Sequence, residues 1–218
     1  MAIKISVSGL AQFMNATSFS QRRLLRDYKF PFTKDGKKKP QIVRYSEARA
    51  AIQKYHSRDN DVTVLLEAVE ALKKTAADNP DKDQSRYNDN IRAINAYMKY
   101  FQKNQFTVLN NPRPKYIHGD VQVSTTPDLY VREDGVKKLV KLDFNAKAPK
   151  EDVVSIILKV MHEAAMAENL GVKPSDVIYL DVSRQQQFTG KKLSQKLKRD
   201  IDAACETIED IWPKVKQA

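Results

Sequence analysis

Cysteine is almost absent from this sequence, since the 218 residues include only Cys205. A single thiol excludes an intrachain disulfide framework and any cysteine-rich zinc or iron–sulfur site. Chains without disulfides are typical of reducing compartments, so we expect a cytoplasmic protein. Long hydrophobic runs are lacking too, because no stretch approaches the roughly 20 apolar residues of a membrane-spanning helix. The first residues turn polar too soon for a signal peptide, and we expect no membrane partner.

Acidic residues are in short supply relative to basic ones. Asp and Glu total 27 against 38 Lys and Arg, which gives a net charge of +11. Such an excess favours polyanionic partners, either nucleic acid or an acidic membrane surface. Basic proteins without such a partner also exist, and that alternative stays open. Hydrophobic residues at 41% and charged residues at 30% are typical of a globular protein.

Glycine is also scarce, with six residues in the whole chain. The stretch TGKK at residues 189–192 therefore lacks the glycine-rich spacing of a phosphate-binding P-loop. Nucleotide binding of that kind is not predicted.

The hydrophobic pattern changes its period near residue 105. Before that point apolar residues recur at helical spacing, as in QSRYNDNIRAINAYMKYFQKN at residues 84–104. After it the segments alternate or are rich in β-branched residues, and Asp134-Gly135 is a hairpin signal. We predict a helical region, residues 1–104, packed on a core of residues 105–218 in one compact domain. The order β–β–β–helix–β followed by a last helix predicts an α/β fold with a mixed sheet.

One segment of this core, TTPDLYVREDGVKKLVKLDFNAK at residues 125–147, combines acidic, amide and lysine side chains. Because side chains alternate across a strand, one set should face a core: Val140, Leu142, Phe144 and Ala146. The polar set on the other face is Lys141, Asp143, Asn145 and Lys147. The hairpin should bring Asp128 beside the Asn145–Lys147 end. A polar face is also what solvent demands of a half-exposed strand, so a purely structural interpretation stays open.

Asp128 in PDLYV, Asn145-Ala146-Lys147 after an apolar strand, and the helix and strand that follow resemble the PD-(D/E)XK nuclease superfamily. The opening ISVSGLAQFMNATSFSQRRLL is similar to that of RecB-type exonucleases and the related CRISPR-adaptation exonucleases. In those proteins a serine-capped helix and an arginine-rich segment precede a helical insertion and the nuclease core. The resemblance in the order of helices and strands extends over most of the chain, whereas the matching sequence motif is short. It implies a restriction-endonuclease-like mixed β-sheet core flanked by helices, after a helical N-terminal half.

The same resemblance implies roles for single residues. Asp128 matches the aspartate that bridges metal ions, Mg²⁺ or Mn²⁺, and Lys147 matches the lysine that orients water or stabilises phosphate charge. Asn145 stands where the family has Asp or Glu, and its amide oxygen can ligate Mg²⁺ without adding negative charge. Asp143, two residues earlier, is the candidate to replace that acid as a ligand. Further candidate ligands are His118, Glu47 and His56.

This constellation suits phosphodiester hydrolysis on chemical grounds. A metal ion polarises the phosphate and generates hydroxide near neutral pH. A nearby lysine stabilises the charge that develops on the phosphoryl oxygens. The leading hypothesis is therefore a metal-dependent, RecB-like nuclease that hydrolyses DNA.

Basic residues gather in three segments, where they would bind phosphates independently of base sequence. The predicted nucleic-acid contacts are Arg22, Arg23, Arg26, Lys37, Lys38, Lys39, Lys191 and Lys192. A solvated surface is the alternative interpretation. The last amphipathic stretch, residues 193–214, is expected either to pair with a partner protein or to cover the sheet.

Two other functions compete with the nuclease. The first is a catalytically inactive PD-(D/E)XK-fold subunit that binds nucleic acid or assembles a larger complex, which Asn145 favours. The second is a helical protein–protein adaptor with no role in nucleic-acid binding. Salt-dependent binding of nucleic acid separates the adaptor from the other two.

Overall fold

A computed structural model describes residues 2–31, 44–190 and 194–217 of the chain. The α-helices in these ranges are α1 (Val7–Met14), α2 (Ser18–Lys29), α3 (Ser46–Ser57), α4 (Thr63–Asp78), α5 (Gln84–Phe101), α6 (Glu151–Ala167) and α7 (Gln195–Ile211). The strands are β1 (Ile3–Ser6), β2 (Thr107–Val108), β3 (Lys115–His118), β4 (Val121–Ser124), β5 (Leu129–Glu133), β6 (Val136–Asp143), β7 (Val177–Asp181) and β8 (Gln186–Thr189). None of these helices is both long and apolar enough to cross a membrane.

A five-stranded mixed sheet forms the centre, in the order β2-β5-β6-β7-β8. β6 and β7 run parallel, joined by α6, and the other neighbouring strands are antiparallel. The predicted hairpin between β5 and β6 is confirmed, with Asp134 and Gly135 at φ values of 50° and 79°. Two consecutive left-handed residues are what a type I′ turn requires, and Asp-Gly supplies them at little strain. The predicted α/β class with a mixed sheet is therefore confirmed.

Both faces of the sheet are covered by helices. The residues that pack against α3, α4 and α5 include Leu129, Val131, Val140, Leu142, Ile178 and Leu180. The residues that pack with α1, α6 and α7 include Tyr130, Leu139, Val177 and Tyr179. β7 is consequently buried along its whole length, and β6 is buried at Leu139, Val140, Leu142 and Asp143. The half-exposed polar face considered from the sequence is partly exposed at Lys141 and buried at Asp143.

The N-terminal region is not wholly helical, which differs from the sequence prediction. Ile3 and Ile5 are buried, and β1 pairs in parallel with β4 in a small sheet ordered β1-β4-β3. Ser6 caps α1, because its side chain accepts a hydrogen bond from the Gly9 N–H at 3.0 Å. A four-residue strand that runs directly into a helix gives too little alternation to be recognised.

The C-terminal helix α7 covers part of the molecule with its apolar face. Ile201, Cys205 and Ile208 are buried in the same core as α1 and α6. Burial raises the pKa of the Cys205 thiol to about 12, so this cysteine is packed and unreactive. Covering the sheet was one of the two predicted roles of this helix, and its buried residues share a core with Tyr130 and Leu139 of the sheet. Pairing with a partner protein stays a prediction.

Candidate functional site

Three buried aspartates meet at one end of the five-stranded sheet. Asp128, Asp143 and Asp181 are 8%, 6% and 0% exposed. Asp128 directly precedes β5, whereas Asp143 and Asp181 end β6 and β7 and are paired in register. Because β5 runs opposite to the other two strands, its start lies where they end. We call this group the sheet-end cluster.

Asp128 is held by two cations and a backbone amide. Its Oδ1 lies 3.1 Å from Arg49 Nε of α3, and its Oδ2 lies 3.1 Å from Lys141 Nζ of β6. The same Oδ2 accepts the Leu142 N–H at 2.8 Å. The Arg49 guanidinium in turn sits over the Phe144 ring, 5.4 Å from its centroid. Both carboxylate oxygens of Asp128 therefore have positively charged partners from the protein itself.

Asp143 is satisfied by neutral donors. Its Oδ1 accepts the Asn145 backbone N–H at 3.0 Å and the Asn145 side-chain amide at 2.5 Å. Its Oδ2 accepts the Tyr179 hydroxyl at 2.7 Å. The pKa of Tyr179 is raised well above its usual value by burial, and further by this hydrogen bond and by the charges of Asp143, Asp181 and Asp128. Tyr179 is consequently a protonated donor at any physiological pH.

Asp181 is paired with Arg184, just beyond β7. Its Oδ1 accepts the Arg184 N–H at 3.0 Å and its Oδ2 lies 3.0 Å from Arg184 Nη1. The same guanidinium donates to the carbonyl oxygens of Asn145, at 3.3 Å, and Ala146. Arg184 therefore ties the segment after β6 to the end of β7.

These hydrogen bonds explain why β6 ends at Asp143, four residues before the predicted end of the alternating strand. An aspartate that accepts the N–H two residues ahead turns the backbone locally, which competes with a sheet ladder. Asn145 and Lys147 consequently lie in an exposed, non-strand segment. Asp128 lies opposite Lys141 and Leu142 rather than beside Lys147, as the Leu129–Val140 register requires.

An open cleft of about 530 Å³ lies beside Asp143. Its lining includes Gln12 and Asn15 from α1, Asp143 and Tyr179 from the sheet, and Asn145, Lys147 and Lys150 from the following segment. Two lysines and several amides around an open cleft offer hydrogen-bond donors that suit a phosphate group. Lys147 and Asp143 thus line the same cleft. The predicted reason, strand alternation that continues to Lys147, is wrong because β6 ends at Asp143.

Two candidate ligands, His118 and Glu47, contact other groups. His118 Nδ1 lies 3.2 Å from Asp202 Oδ1, and its Nε2 lies 3.5 Å from Glu206 Oε1, both on α7. Glu47 forms an ion pair with Arg86 of α5. The structure does not bring either residue into the sheet-end cluster.

The third candidate, His56, is a buried residue of the helical layer. Its ring nitrogens lie 2.6 Å from Asn60 Oδ1 and 2.6 Å from the Tyr97 hydroxyl oxygen. Burial lowers its pKa to about 4, although the contact with Asn60 opposes the shift. His56 is therefore neutral at pH 7 and stabilises the packing of α3 on α5.

The residues of this region do not fit a divalent metal in the arrangement observed. Across the described ranges, no three His, Cys, Asp or Glu side chains are grouped to hold a metal ion. Hard cations prefer several carboxylate oxygens, and the Asp128 oxygens already face Arg49 and Lys141. Asn145 turns its amide nitrogen towards Asp143. The Mg²⁺ or Mn²⁺ cofactor stays a prediction from the sequence.

A second cleft, of about 380 Å³, collects three of the predicted nucleic-acid contacts. We call it the basic cleft, and its lining residues are Phe19, Arg22, Arg23, Arg26, Ile211, Lys214, Val215 and Lys216. The predicted contacts Lys37, Lys38, Lys39, Lys191 and Lys192 lie outside the described residues. The lysines near the end of the chain were not predicted, because only the fold brings them beside α2.

The sequence also gave no role to Arg49, Lys141, Tyr179, Asp181 or Arg184 at the sheet-end cluster. One signal was present: in VIYLD, a tyrosine and an aspartate stand two residues apart in an otherwise apolar strand, and buried charges need partners.

The chain matches no protein-family model, and no curated protein matches it.

Proposed function

We propose that the protein binds nucleic acid, with DNA as its first candidate, and that the sheet-end cluster is a structural site rather than a metal-dependent hydrolytic one. The order of elements supports a restriction-endonuclease-like core. Pro127-Asp128 directly precedes β5 of a hairpin, and α6 then leads from β6 to the parallel strand β7. This is the order that the resemblance to PD-(D/E)XK nucleases implies.

The observation that carries the proposal is the double ion pair of Asp128. A metal ion at this carboxylate would have to displace Arg49 and Lys141, each 3.1 Å from an oxygen. Breaking a buried ion pair commonly costs about 3–5 kcal/mol. The stacking of Arg49 on Phe144 opposes its departure as well. The cluster is therefore already compensated without a metal.

Charge supports the nucleic-acid partner. The chain carries a net charge of +11, and five basic residues line the basic cleft. Lysine and arginine contacts to phosphates give binding that is blind to base sequence and weakens steeply with salt. No groove-reading element is needed for binding of this kind.

Binding and cleavage assays on the same DNA test both halves of the proposal. We expect labelled linear DNA to bind with an affinity that falls linearly in a log–log plot against salt. We expect no cleavage of single- or double-stranded DNA with Mg²⁺ or Mn²⁺, for wild type and for Lys147→Ala alike. Failure to bind at low salt would refute the nucleic-acid partner and favour the adaptor.

A metal-dependent nuclease is the second candidate. The observation in its favour is that three buried aspartates gather at one end of the sheet and that one of them, Asp143, lines an open cleft together with Lys147 and Lys150. Cleavage that needs a divalent metal and disappears in both Asp128→Ala and Lys147→Ala would establish this function and refute the structural role. Cleavage that persists in both variants would come from a contaminant.

A further inference from the structure

One face of α2 combines an exposed aromatic ring with three arginines. Phe19, Arg22, Arg23 and Arg26 stand at positions i, i+3, i+4 and i+7, which lie on one side of a helix. Phe19 is 80% exposed. Within the described ranges, none of the three arginines forms an ion pair with a carboxylate. An exposed aromatic ring beside three arginines is the combination that single-strand nucleic-acid sites use.

The opposite wall of the basic cleft is fixed to α2 by Lys29. Its Nζ donates to the carbonyl oxygen of Trp212 at 2.6 Å and to that of Val215 at 3.0 Å. The Val215 side chain is buried in the core, so the end of the chain is anchored there. Lys214 and Lys216, on either side of it, are held at the cleft. The cleft is therefore preformed.

The lining chemistry selects the kind of ligand. Arginine binds phosphate oxygens bidentately, and an exposed aromatic ring stacks on a nucleobase. Among the described residues, none of those that line the cleft is acidic. The volume of about 380 Å³ lies within the range of small-ligand pockets, roughly 300–1,000 Å³, so the cleft admits a nucleotide. In a duplex the base faces are already stacked, and only an unpaired base can reach the ring.

We propose that the basic cleft binds single-stranded nucleic acid, with an unpaired base stacked on Phe19 and its neighbouring phosphates on Arg22, Arg23 and Arg26. This inference rests on the proposed nucleic-acid binding and specifies the form of the ligand. It predicts tighter binding of a single strand than of a duplex of equal length. The two lysines of the far wall add salt-sensitive contacts.

Fluorescence anisotropy on the full chain tests the assignment. The probes are labelled oligo(dT) and oligo(U) of roughly 20 nucleotides, a duplex of the same length, and vesicles containing phosphatidylserine. Phe19→Ala should weaken single-strand binding about 5- to 150-fold, the range for loss of one stacking aromatic, with duplex affinity changed less than about twofold. Phe19→Tyr should restore single-strand binding. Arg26→Ala should lower the salt slope by about 0.7, the value for one phosphate contact on a single strand.

Matched controls are available on other elements. Leu66→Ala removes an exposed apolar side chain from α4, and Arg132→Ala removes an exposed cation from β5. Both should bind as wild type does. Because Phe19 is largely exposed, Phe19→Ala should unfold at the wild-type temperature, which excludes misfolding as the cause.

The outcomes separate this inference from the proposed function. Binding of both DNA forms with no effect of Phe19→Ala would overturn the stacking site and leave nucleic-acid binding intact. No binding to any oligonucleotide would overturn both. Binding to vesicles alone would identify an anionic lipid surface as the ligand and overturn the inference. Equal losses on oligo(dT) and oligo(U) would support a single-strand site that does not distinguish DNA from RNA.

Discussion

Asp128→Asn is the substitution that most directly tests the structural role of the sheet-end cluster. The amide keeps the shape and an oxygen that can accept the Leu142 N–H, which now lies 2.8 Å from Oδ2. The negative charge is lost, and two cations remain beside a neutral group. In a cluster stabilised by these ion pairs, the variant must be less stable than wild type.

The expected magnitude follows from the burial of the partners. Removing one member of a buried ion pair costs about 3–5 kcal/mol. The Arg49 and Lys141 side chains are 28% and 19% exposed, so each can turn partly towards water after the change. We therefore expect the lower end, about 3 kcal/mol in the free energy of unfolding. For a chain of this size that is a fall in Tm of roughly 6–12 °C.

Urea unfolding at pH 7 measures the difference, with the midpoint compared at constant m-value. The matched control is Asp134→Asn, an exposed aspartate in the hairpin turn whose positive φ suits asparagine equally well. Its free energy of unfolding should change by less than about 0.5 kcal/mol. An Asp128→Asn variant that is as stable as wild type, or more stable, would refute the reasoning. It would show that neighbouring negative charges destabilise the Asp128 carboxylate, as they do in an empty metal site.

Three further measurements extend this test. Mg²⁺ at about 10 mM should leave Tm unchanged. A bound Mg²⁺ present at 100-fold its Kd would instead raise the free energy of unfolding by about 2.7 kcal/mol and Tm by roughly 5–11 °C. His56 has a folded pKa of about 4 against 6.5 in the unfolded chain, so the unfolded state binds more protons between these two values. The free energy of unfolding therefore decreases as the pH is lowered from 6.5 to 4. Between pH 7 and pH 4 wild type should lose about 3 kcal/mol more than His56→Gln in urea titrations, and equal losses would contradict the burial of a neutral ring. Lys29→Met should cost about 1–3 kcal/mol of stability by freeing two carbonyl oxygens, and weaker single-strand binding should accompany it in the anisotropy assay.

The parts of the fold that the sequence predicted are those with local causes. Asp134-Gly135 determines the hairpin through its own backbone preferences, and the apolar stripe of α5 requires only helical spacing. β1 escaped because four residues carry little pattern and because its partner β4 begins only at Val121. β8 pairs with the preceding strand β7, and it escaped because its four residues, QQFT, carry no alternating apolar pattern. Element order thus follows from local rules, whereas short edge strands leave little trace in the sequence.

The site divides in the same way. Asp128 and Asp143 were found because acids beside apolar strands stand out. Arg49 and Arg184 were missed because nothing in α3 or in the turn after β7 marks a residue that will reach a neighbouring strand end. Lys147 was placed by assuming that alternation continues, and a single aspartate–amide interaction ended it at Asp143. Side-chain hydrogen bonds that cut a strand short are invisible to periodicity.

Charge balance explains why this sheet end can exist without a metal. A buried carboxylate needs a compensating partner, whether a metal ion or a protein cation. Here three buried aspartates, Asp128, Asp143 and Asp181, stand against three cations, Arg49, Lys141 and Arg184, in direct contact with two of them.

Asn145 adds no charge to this balance, and its side-chain amide donates a hydrogen bond to Asp143, which a carboxylate could not do. A divalent ion added to the present set would leave two positive charges in excess. At the position for which the resemblance to PD-(D/E)XK nucleases predicts an acid, the asparagine supplies a neutral donor to Asp143. The same count explains why Asp143, the one acid without a cation in contact, is held by Tyr179 and by the amides of Asn145.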